Sequence, residues 1–413
     1  MPSGYKRSYF LILFVLATTQ LHLFRNVSPA YIVFYLIAFL VSLFLVVESV
    51  EGLGVNQKNL IFLVLMLFVL PVISIFPGVL FGFYGDVTEV LVGLSRLLFT
   101  LPIYLAVLAV PKEMPVARRI FLFAGVMTLI AALSIPYQVF NGPISWFAES
   151  SERSGLARYS SLFGSLTSLG VVVGAGLLAV ALTMQSVLLF SIAVCGIVVG
   201  SILSLQKAAL VNLLVAGVLI FFVRRFSRRQ IIFAVLAFFP LFFLVGMLFE
   251  SEMSAFLSSF RFFDSEGAGS EAVSDDFSVG QSILDRIFEL PLVAVDHFGG
   301  WALIFGVGPV GASGALGFPE VPTTHNAVFD ILLVGGLPYF LFSCAFLVLL
   351  FRKFRLAFKG DDARLARVGL FVFFFILLNS VFSSLLVFTP SGAMFVAASL
   401  RVIVEIEGSI YSS

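Results

Sequence analysis

A histidine and an asparagine, His325 and Asn326, stand where a polar loop ends and a long apolar run begins. The chain has only three histidines, and this one lies at the mouth of a predicted membrane span. An imidazole titrates near neutral pH and can take a proton from a hydroxyl, which makes His325 a candidate general base. Asn and Thr also cap helices, so Asn326 or Thr324 could equally serve only to start this helix.

Five basic residues lie in or beside segments that we expect at the same membrane face as His325. They are Arg96, Arg153, Arg158, Lys207 and Arg286. Outward-facing segments of membrane proteins are usually poor in Lys and Arg, so this set needs a reason. One reason is an anion site, because Arg binds phosphate oxygens in pairs and Lys binds them as a point charge. The other is pairing with the acidic residues of the outer loop or with lipid headgroups.

The composition indicates that these residues belong to a membrane protein. The chain of 413 residues is 60% hydrophobic and 11% charged, whereas soluble domains carry about 25% charge. The net charge of +1 gives no reason to expect a nucleic-acid partner. No cluster of His, Cys and carboxylates has the spacing of metal ligands, so we expect neither a metal nor a cofactor. Lys6 and Arg7 precede the first apolar run, which we expect to be an uncleaved span.

Twelve apolar stretches are long enough to cross the hydrocarbon core, which takes about 20 helical residues. They lie at residues 8–24, 30–47, 59–77, 89–110, 118–136, 161–183, 185–204, 206–223, 230–250, 326–351, 367–387 and 389–406. The sequence therefore predicts an all-α polytopic membrane protein with a single membrane domain, residues 1–413. Arg401 lies near the inner end of the last stretch, where we expect its side chain to snorkel to the interface.

Basic residues orient these predicted spans, because cytoplasmic loops carry the excess of Lys and Arg. Threading the spans puts the basic clusters and both termini on one side, the cytoplasm. Residues 137–160 and 251–325 then form two loops on the outer, periplasmic face of a bacterial inner membrane. Within the larger loop, residues 281–298 have apolar residues at helical spacing and are predicted to form a short amphipathic helix. Residues 301–322 are rich in Gly and Pro and are predicted to be irregular.

Three segments of the chain resemble the O-antigen polymerase and O-antigen ligase superfamily of polytopic bacterial glycosyltransferases. The first runs from Arg153 to Gly170, an outer loop that leads into a helix start, and its Arg153 and Gly164 form an Arg-x10-Gly pattern. The second, residues 204–210, reads SLQKAAL, with Lys207 where the family usually has Arg. The third is a Gly-x-Gly turn, a loop, His-Asn and a later Gly, at Gly306, Gly308, His325, Asn326 and Gly336. The likeness covers roughly residues 150–350.

The resemblance implies a GT-C-like fold and a donor glycan linked through a diphosphate to undecaprenol in the outer leaflet. Transfer of the glycan to a sugar hydroxyl releases the lipid diphosphate, whose charge Arg and Lys can stabilise without a metal. The implied catalytic residues are His325, Arg153 and Arg286, and the implied substrate-binding residues are Arg158, Lys207, Arg96 and Asn326. His325 is then the base or a residue that orients the substrate. Where the family often has Glu, this chain has Val334.

Several functions stay open at this level. The resemblance favours a repeat-unit polymerase, whose partners are the undecaprenyl-diphosphate-linked glycan, membrane lipid and, as a further candidate, a chain-length regulator. A ligase that transfers the polymer to lipid A core or to protein uses the same chemistry. A lipid-linked oligosaccharide transporter predicts inverted repeats and broken helices with charges at mid-depth. We find no obvious repeat, and the candidate charges map to one face. A non-catalytic membrane subunit would not need the outer cations.

Overall fold

The computed structural model describes residues 3–20, 30–82, 87–144, 150–153, 156–164, 168–224, 290–309, 326–358, 362–381 and 385–410, and Met247 and Phe288 singly. The helices of this part are α1 (Ser3–Gln20), α2 (Ala30–Ser49), α3 (Val55–Ile73), α4 (Ile75–Leu80), α5 (Val87–Leu108), α6 (Ala117–Asn141), α7 (Ser168–Thr183), α8 (Val187–Leu203), α9 (Lys207–Val223), α10 (Leu290–Phe298), α11 (Ala302–Phe305), α12 (Ala327–Ala357), α13 (Ala363–Val381) and α14 (Pro390–Ile410). Two strands, β1 (Ser150–Arg153) and β2 (Leu156–Tyr159), form an antiparallel hairpin, and a 3-10 turn covers Leu386–Phe388.

The helical architecture expected from the sequence is confirmed, because the described part is almost entirely helical. By length and composition, four helical segments of this part can cross a membrane: α3 continued by α4, α6, α12 and α13. Shorter apolar helical segments lie in α2, α5, α7, α8 and α9. Of the twelve predicted stretches, the one at residues 230–250 falls outside the described residues, except for Met247.

Three local expectations differ from the structure or are only partly covered by it. The sixth stretch is predicted from residue 161, but α7 begins at Ser168, because residues 161–164 form a turn that follows β2. Residues 301–322 are predicted to be irregular, yet Ala302–Phe305 forms a short helix that ends at Gly306, whose φ is +77°. The predicted amphipathic helix is seen as α10 over Leu290–Phe298, and its earlier half lies outside the described residues except for Phe288.

α7 is the central helix of the bundle. Every residue from Leu169 to Leu182 is buried, and the helix packs against α6, α9 and α13. Small residues make this packing close, since a Cβ on Gly174 would overlap the ring of Phe375. Helices in lipid gain no hydrophobic drive from associating, so close van der Waals packing of small residues is a main source of their affinity. α6, α9 and α13 are therefore positioned by their fit to α7.

Arginine side chains donate hydrogen bonds to carbonyls at the C-terminal end of α7. Arg224 donates to the Met184 carbonyl at 3.0 Å, and Arg364, in the first turn of α13, donates to the Ala181 carbonyl at 3.0 Å. Cations at a helix C-terminus satisfy free carbonyls and oppose the helix dipole. Burial and the neighbouring Arg364 guanidinium lower the pKa of Arg224. We call this end of the bundle the basic end, and the opposite end, where α7 and α9 begin, the polar end.

Arg401 does not snorkel as predicted, because its side chain is fully buried in a network of hydrogen bonds. Its guanidinium donates to Glu405 Oε1 at 2.9 Å and to the carbonyls of Val110, Pro111 and Met114. These carbonyls belong to the connection between α5 and α6. They lie outside the regular hydrogen-bond ladder of either helix. Arg401 therefore holds the connection in place from α14.

Candidate functional site

The apolar helix that follows Asn326 is broken near its start. Within α12, Gly336 has φ 67° and ψ −171°, a backbone conformation that is essentially restricted to glycine. Pro338 follows and has no N–H to donate to the carbonyl four residues earlier, that of Val334. The break also displaces the donor that the Leu333 carbonyl would otherwise use. Two carbonyls in an apolar helix therefore need donors from outside the helix.

The turn of residues 306–308 supplies both donors. The Val307 N–H donates to the Leu333 carbonyl at 2.6 Å, and the Gly308 N–H donates to the Val334 carbonyl at 3.0 Å. The approach needs glycine, because a Cβ on Gly306 would lie 2.7 Å from a backbone nitrogen of the break. We call residues 306–308 the docked turn. The three glycines of the third sequence segment thus build one unit, a turn docked into a helix break.

Tyr339 anchors the helix to α3 just beyond the break. Pro71 lies inside α3 and leaves the Leu67 carbonyl without its donor in that helix. The Tyr339 hydroxyl donates to this carbonyl at 3.1 Å. The docked turn and this bond hold the break from two sides, so the start of α12 has a fixed position.

Asn326 caps α12. Its side-chain oxygen accepts a hydrogen bond from the Val328 N–H at 3.1 Å, and the residue is buried. The capping alternative raised by the sequence is therefore confirmed for Asn326. A role of Asn326 towards a substrate stays a prediction.

A buried carboxylate that the sequence reasoning missed lies one turn further on, at Asp330. Its N–H donates to the Asn326 carbonyl at 2.9 Å, and the residue has 0% exposure. Asp330 is four residues before Val334, so both lie on the same helix face. The carboxylate absent at Val334 is thus present one turn closer to His325 in the chain. An acidic residue within an apolar run was the available signal, because such residues are rare in membranes and often functional.

The first and second sequence segments meet at the polar end. The Gly170 N–H, in the first turn of α7, donates to Gln206 Oε1 at 2.7 Å, and the Gly170 carbonyl accepts from Asn212 at 2.7 Å. Asn212 exchanges two side-chain hydrogen bonds with Asn379 of α13, at 2.7 and 3.1 Å. A Cβ on Gly170 would overlap the Gln206 amide and lie 3.3 Å from the Ala209 nitrogen. This amide network joins α7, α9 and α13.

The start of α12 lies at the same end of the bundle. Only residues 358–362 connect α12 to α13, and α13 begins at the basic end. The first residues of α12, including Asp330 and the helix break, are therefore at the polar end. α13 packs against α12 and also against α7.

The remaining predicted site residues are placed only in part. For three of them the structure describes the backbone alone: Arg153 at the end of β1, Lys207 at the start of α9 and Arg96 inside α5. Arg158 lies in β2 opposite Ser151, with a half-buried side chain. His325 and Arg286 lie outside the described residues. In the described part, no three His, Cys, Asp or Glu side chains are grouped as metal ligands.

No protein-family model matches the chain, and no curated protein matches it. The polar end has a buried carboxylate on a fixed helix start and a buried amide network between three helices. Such groups can position a polar ligand and accept a proton, which an apolar bundle alone cannot do.

Proposed function

We propose that this chain is a glycosyltransferase of twelve spans that polymerises undecaprenyl-diphosphate-linked repeat units on the outer face of the bacterial inner membrane. The observation that carries the proposal is the docked turn. It gives a physical reason for a Gly-x-Gly, His-Asn, Gly pattern, because the glycines fix the start of the helix that directly follows His325. A general base must be held within hydrogen-bond reach of its proton, and a fixed helix start serves that need.

The depth of the break supports a site near the outer membrane surface. From the break, residues 337–351 lead to Arg352, the first basic residue on that part of α12. Fifteen helical residues span about 22 Å, and the hydrocarbon core is about 30 Å thick. With Arg352 at the inner edge, the break lies about 8 Å below the outer edge. Asp330 and Asn326 then lie near the level of the lipid phosphates.

The proposed reaction joins two lipid-linked glycans. A hydroxyl oxygen of the acceptor attacks the anomeric carbon of the donor's first sugar, and the bond from that carbon to the diphosphate oxygen breaks. His325 takes the hydroxyl proton, and undecaprenyl diphosphate leaves with its charge facing Arg153 and Arg286. Arg158, Lys207 and Arg96 hold the diphosphate before the transfer, and Asn326 orients the substrate. Stabilising the charge that develops on the leaving group is the main source of rate enhancement.

Replacing His325 or Arg153 with Ala is expected to abolish chain extension while the protein level in the membrane stays normal. The first change removes the base and the second removes charge from the leaving-group site. The measurement is the ladder of polysaccharide lengths on a gel, beside immunoblots of the tagged chain in membranes. His297→Ala is the matched control, because His297 is an exposed histidine on α10. Normal ladders from both site variants would show that these residues are not the site.

Asp330→Asn is expected to stop chain extension with little loss of protein. Asn has nearly the same size as Asp, so the packing of the 0% exposed side chain is kept while its charge is lost. The control is Asp296→Asn, which removes an exposed carboxylate from α10. A purely structural Asp330 predicts that the ladder falls only in proportion to the protein level, and that outcome would remove Asp330 from the site.

A lipid-linked oligosaccharide transporter is the second candidate, because α12 is discontinuous and broken helices are typical of transporter sites. Transporter sites lie near the midplane, whereas the break lies about 8 Å from the outer edge of the hydrocarbon core. A clean deletion strain separates the functions. Loss of a polymerase leaves acceptor capped with a single repeat, and loss of a transporter strands repeats inside the cell. Loss of a ligase leaves bare acceptor and long chains on the lipid carrier.

A further inference from the structure

The side-chain amide of Gln206 is buried, and within the described part of the chain only the oxygen of its two polar atoms forms a hydrogen bond. Its oxygen accepts the Gly170 N–H at 2.7 Å. A backbone N–H can only donate, so this bond fixes which end of the amide is oxygen and which is nitrogen. Gln206 is 3% exposed, and among the described residues its Nε2 meets no acceptor. Buried donors are rarely left without an acceptor, so this one needs an explanation.

The Gln206 amide lies where two helices begin. Gly170 is the third residue of α7, and Gln206 directly precedes α9 without capping it through its side chain. Helix N-termini present free N–H groups and the positive ends of their dipoles. The next residue, Lys207, carries a positive charge. Leu205, just before Gln206, has φ 53°, a strained conformation for a branched residue of a kind that clusters at binding sites.

We propose that the junction of α7 and α9 binds a phosphate oxygen of a membrane-borne lipid, with Gln206 Nε2 as a hydrogen-bond donor and Lys207 as the counter-charge. Donors, dipoles and cation all favour an anion there. The junction lies at the polar end of an apolar bundle, and the anions that a bilayer presents at its surface are chiefly lipid phosphates. Naming undecaprenyl diphosphate as that lipid rests on the proposed function. A phospholipid headgroup presents the same oxygen chemistry.

Gln206→Glu separates an anion site from a structural amide. Glutamate keeps the oxygen that accepts the Gly170 N–H and has nearly the same shape, but it replaces the donor with a negative oxygen. Where only water meets Nε2, a negative charge between two helix N-termini leaves the fold as stable as before or more stable. Where a phosphate binds, the same charge repels it. Stability and lipid binding then change in different directions.

The test measures undecaprenyl diphosphate binding to the full chain in dodecyl maltoside, a detergent without phosphate. Gln206→Glu is expected to weaken binding at least tenfold, an order-of-magnitude figure for a lost charge-assisted hydrogen bond, with an unchanged or higher unfolding temperature. Gln185→Glu makes the same change at an exposed position of the basic end and should leave binding unaltered. Binding by Gln206→Glu within about twofold of the natural chain would overturn the proposal.

Added phosphatidylglycerol separates the two sources of phosphate. Competition with the probe in the natural chain, lost in Gln206→Glu, assigns the junction to headgroups, and no competition assigns it to the diphosphate lipid. If Gln206→Glu does not fold, hydrogen exchange of the natural chain replaces it. Saturating probe should slow exchange in the first turns of α7 and α9, and protection elsewhere but not there would overturn the proposal. The natural chain could bind the probe while deletion of its gene leaves polymer length unchanged. That result would refute the polymerase proposal and leave the lipid-binding proposal standing.

Discussion

Gly336→Ala is expected to dismantle the start of α12 and to deplete the protein from membranes. Alanine disfavours φ 67° with ψ −171°, which costs about 1–3 kcal/mol in strain alone. Its Cβ would also overlap the Ile304 carbonyl oxygen and lie 2.6 Å from the Phe305 carbonyl carbon. These are backbone atoms of the segment that leads into the docked turn, so they cannot rotate aside. The turn must leave, and the Leu333 and Val334 carbonyls lose their donors.

The measurement is the unfolding temperature in detergent together with the amount of chain in the membrane. Gly217→Ala is the matched control, because a Cβ at this helical glycine of α9 meets nothing within 4 Å. Ala is a better helix former than Gly by about 1 kcal/mol, so the control is expected to be as stable as the natural chain or more stable. Equal unfolding temperatures for the two variants would show that the docked turn contributes nothing to the fold.

Hydropathy predicts most of the described helices, because a long apolar stretch inside a bilayer is expected to be helical. Backbone groups in lipid must bond within their own helix, so about 20 apolar residues predict a helix wherever they occur. The start of α7 is predicted too early because Leu162 and Phe163 extend the apolar pattern, whereas residues 161–164 form a turn closed by the Gly164 N–H and the Ser161 carbonyl. An apolar pattern alone does not show where a turn ends and a helix begins.

The candidate site is less accessible to sequence reasoning, because its features depend on partners far along the chain. The break at Gly336 depends on donors from residues 307 and 308, and the Gln206 amide is fixed by Gly170. A lone Gly or Gln gives no sign of these partners. Asp330 could have been singled out from its position in an apolar run, yet the helix dipole also explains an acid in a first turn. Only its complete burial makes it a strong candidate.

Arg401→Met is expected to destabilise the chain by about 3–5 kcal/mol, the typical cost of removing one partner of a buried ion pair. Methionine fills most of the volume but leaves the Glu405 carboxyl without its cationic partner, and both groups are nearly inaccessible, with side-chain exposures of 0% and 10%. It also removes the donors used by the carbonyls of Val110, Pro111 and Met114. The unfolding temperature in detergent is the measurement. Arg7→Met is the control, because its 3.8 Å pair with Glu48 is exposed and is expected to contribute about 0–1 kcal/mol.

A double variant tests whether Arg401 and Glu405 only neutralise each other or also hold the backbone between α5 and α6. Glu405 also accepts the N–H groups of Val116 and Ala117 at 2.7 and 2.9 Å, at the start of α6. Buried pairs whose only task is mutual neutralisation can be replaced by apolar residues without loss. Here Arg401→Met combined with Glu405→Met takes the acceptor from the Ala117 N–H and one donor from each of the Val110, Pro111 and Met114 carbonyls. The double variant should therefore be at least as unstable as Arg401→Met. Recovery towards the natural stability would mean that the two side chains serve only each other.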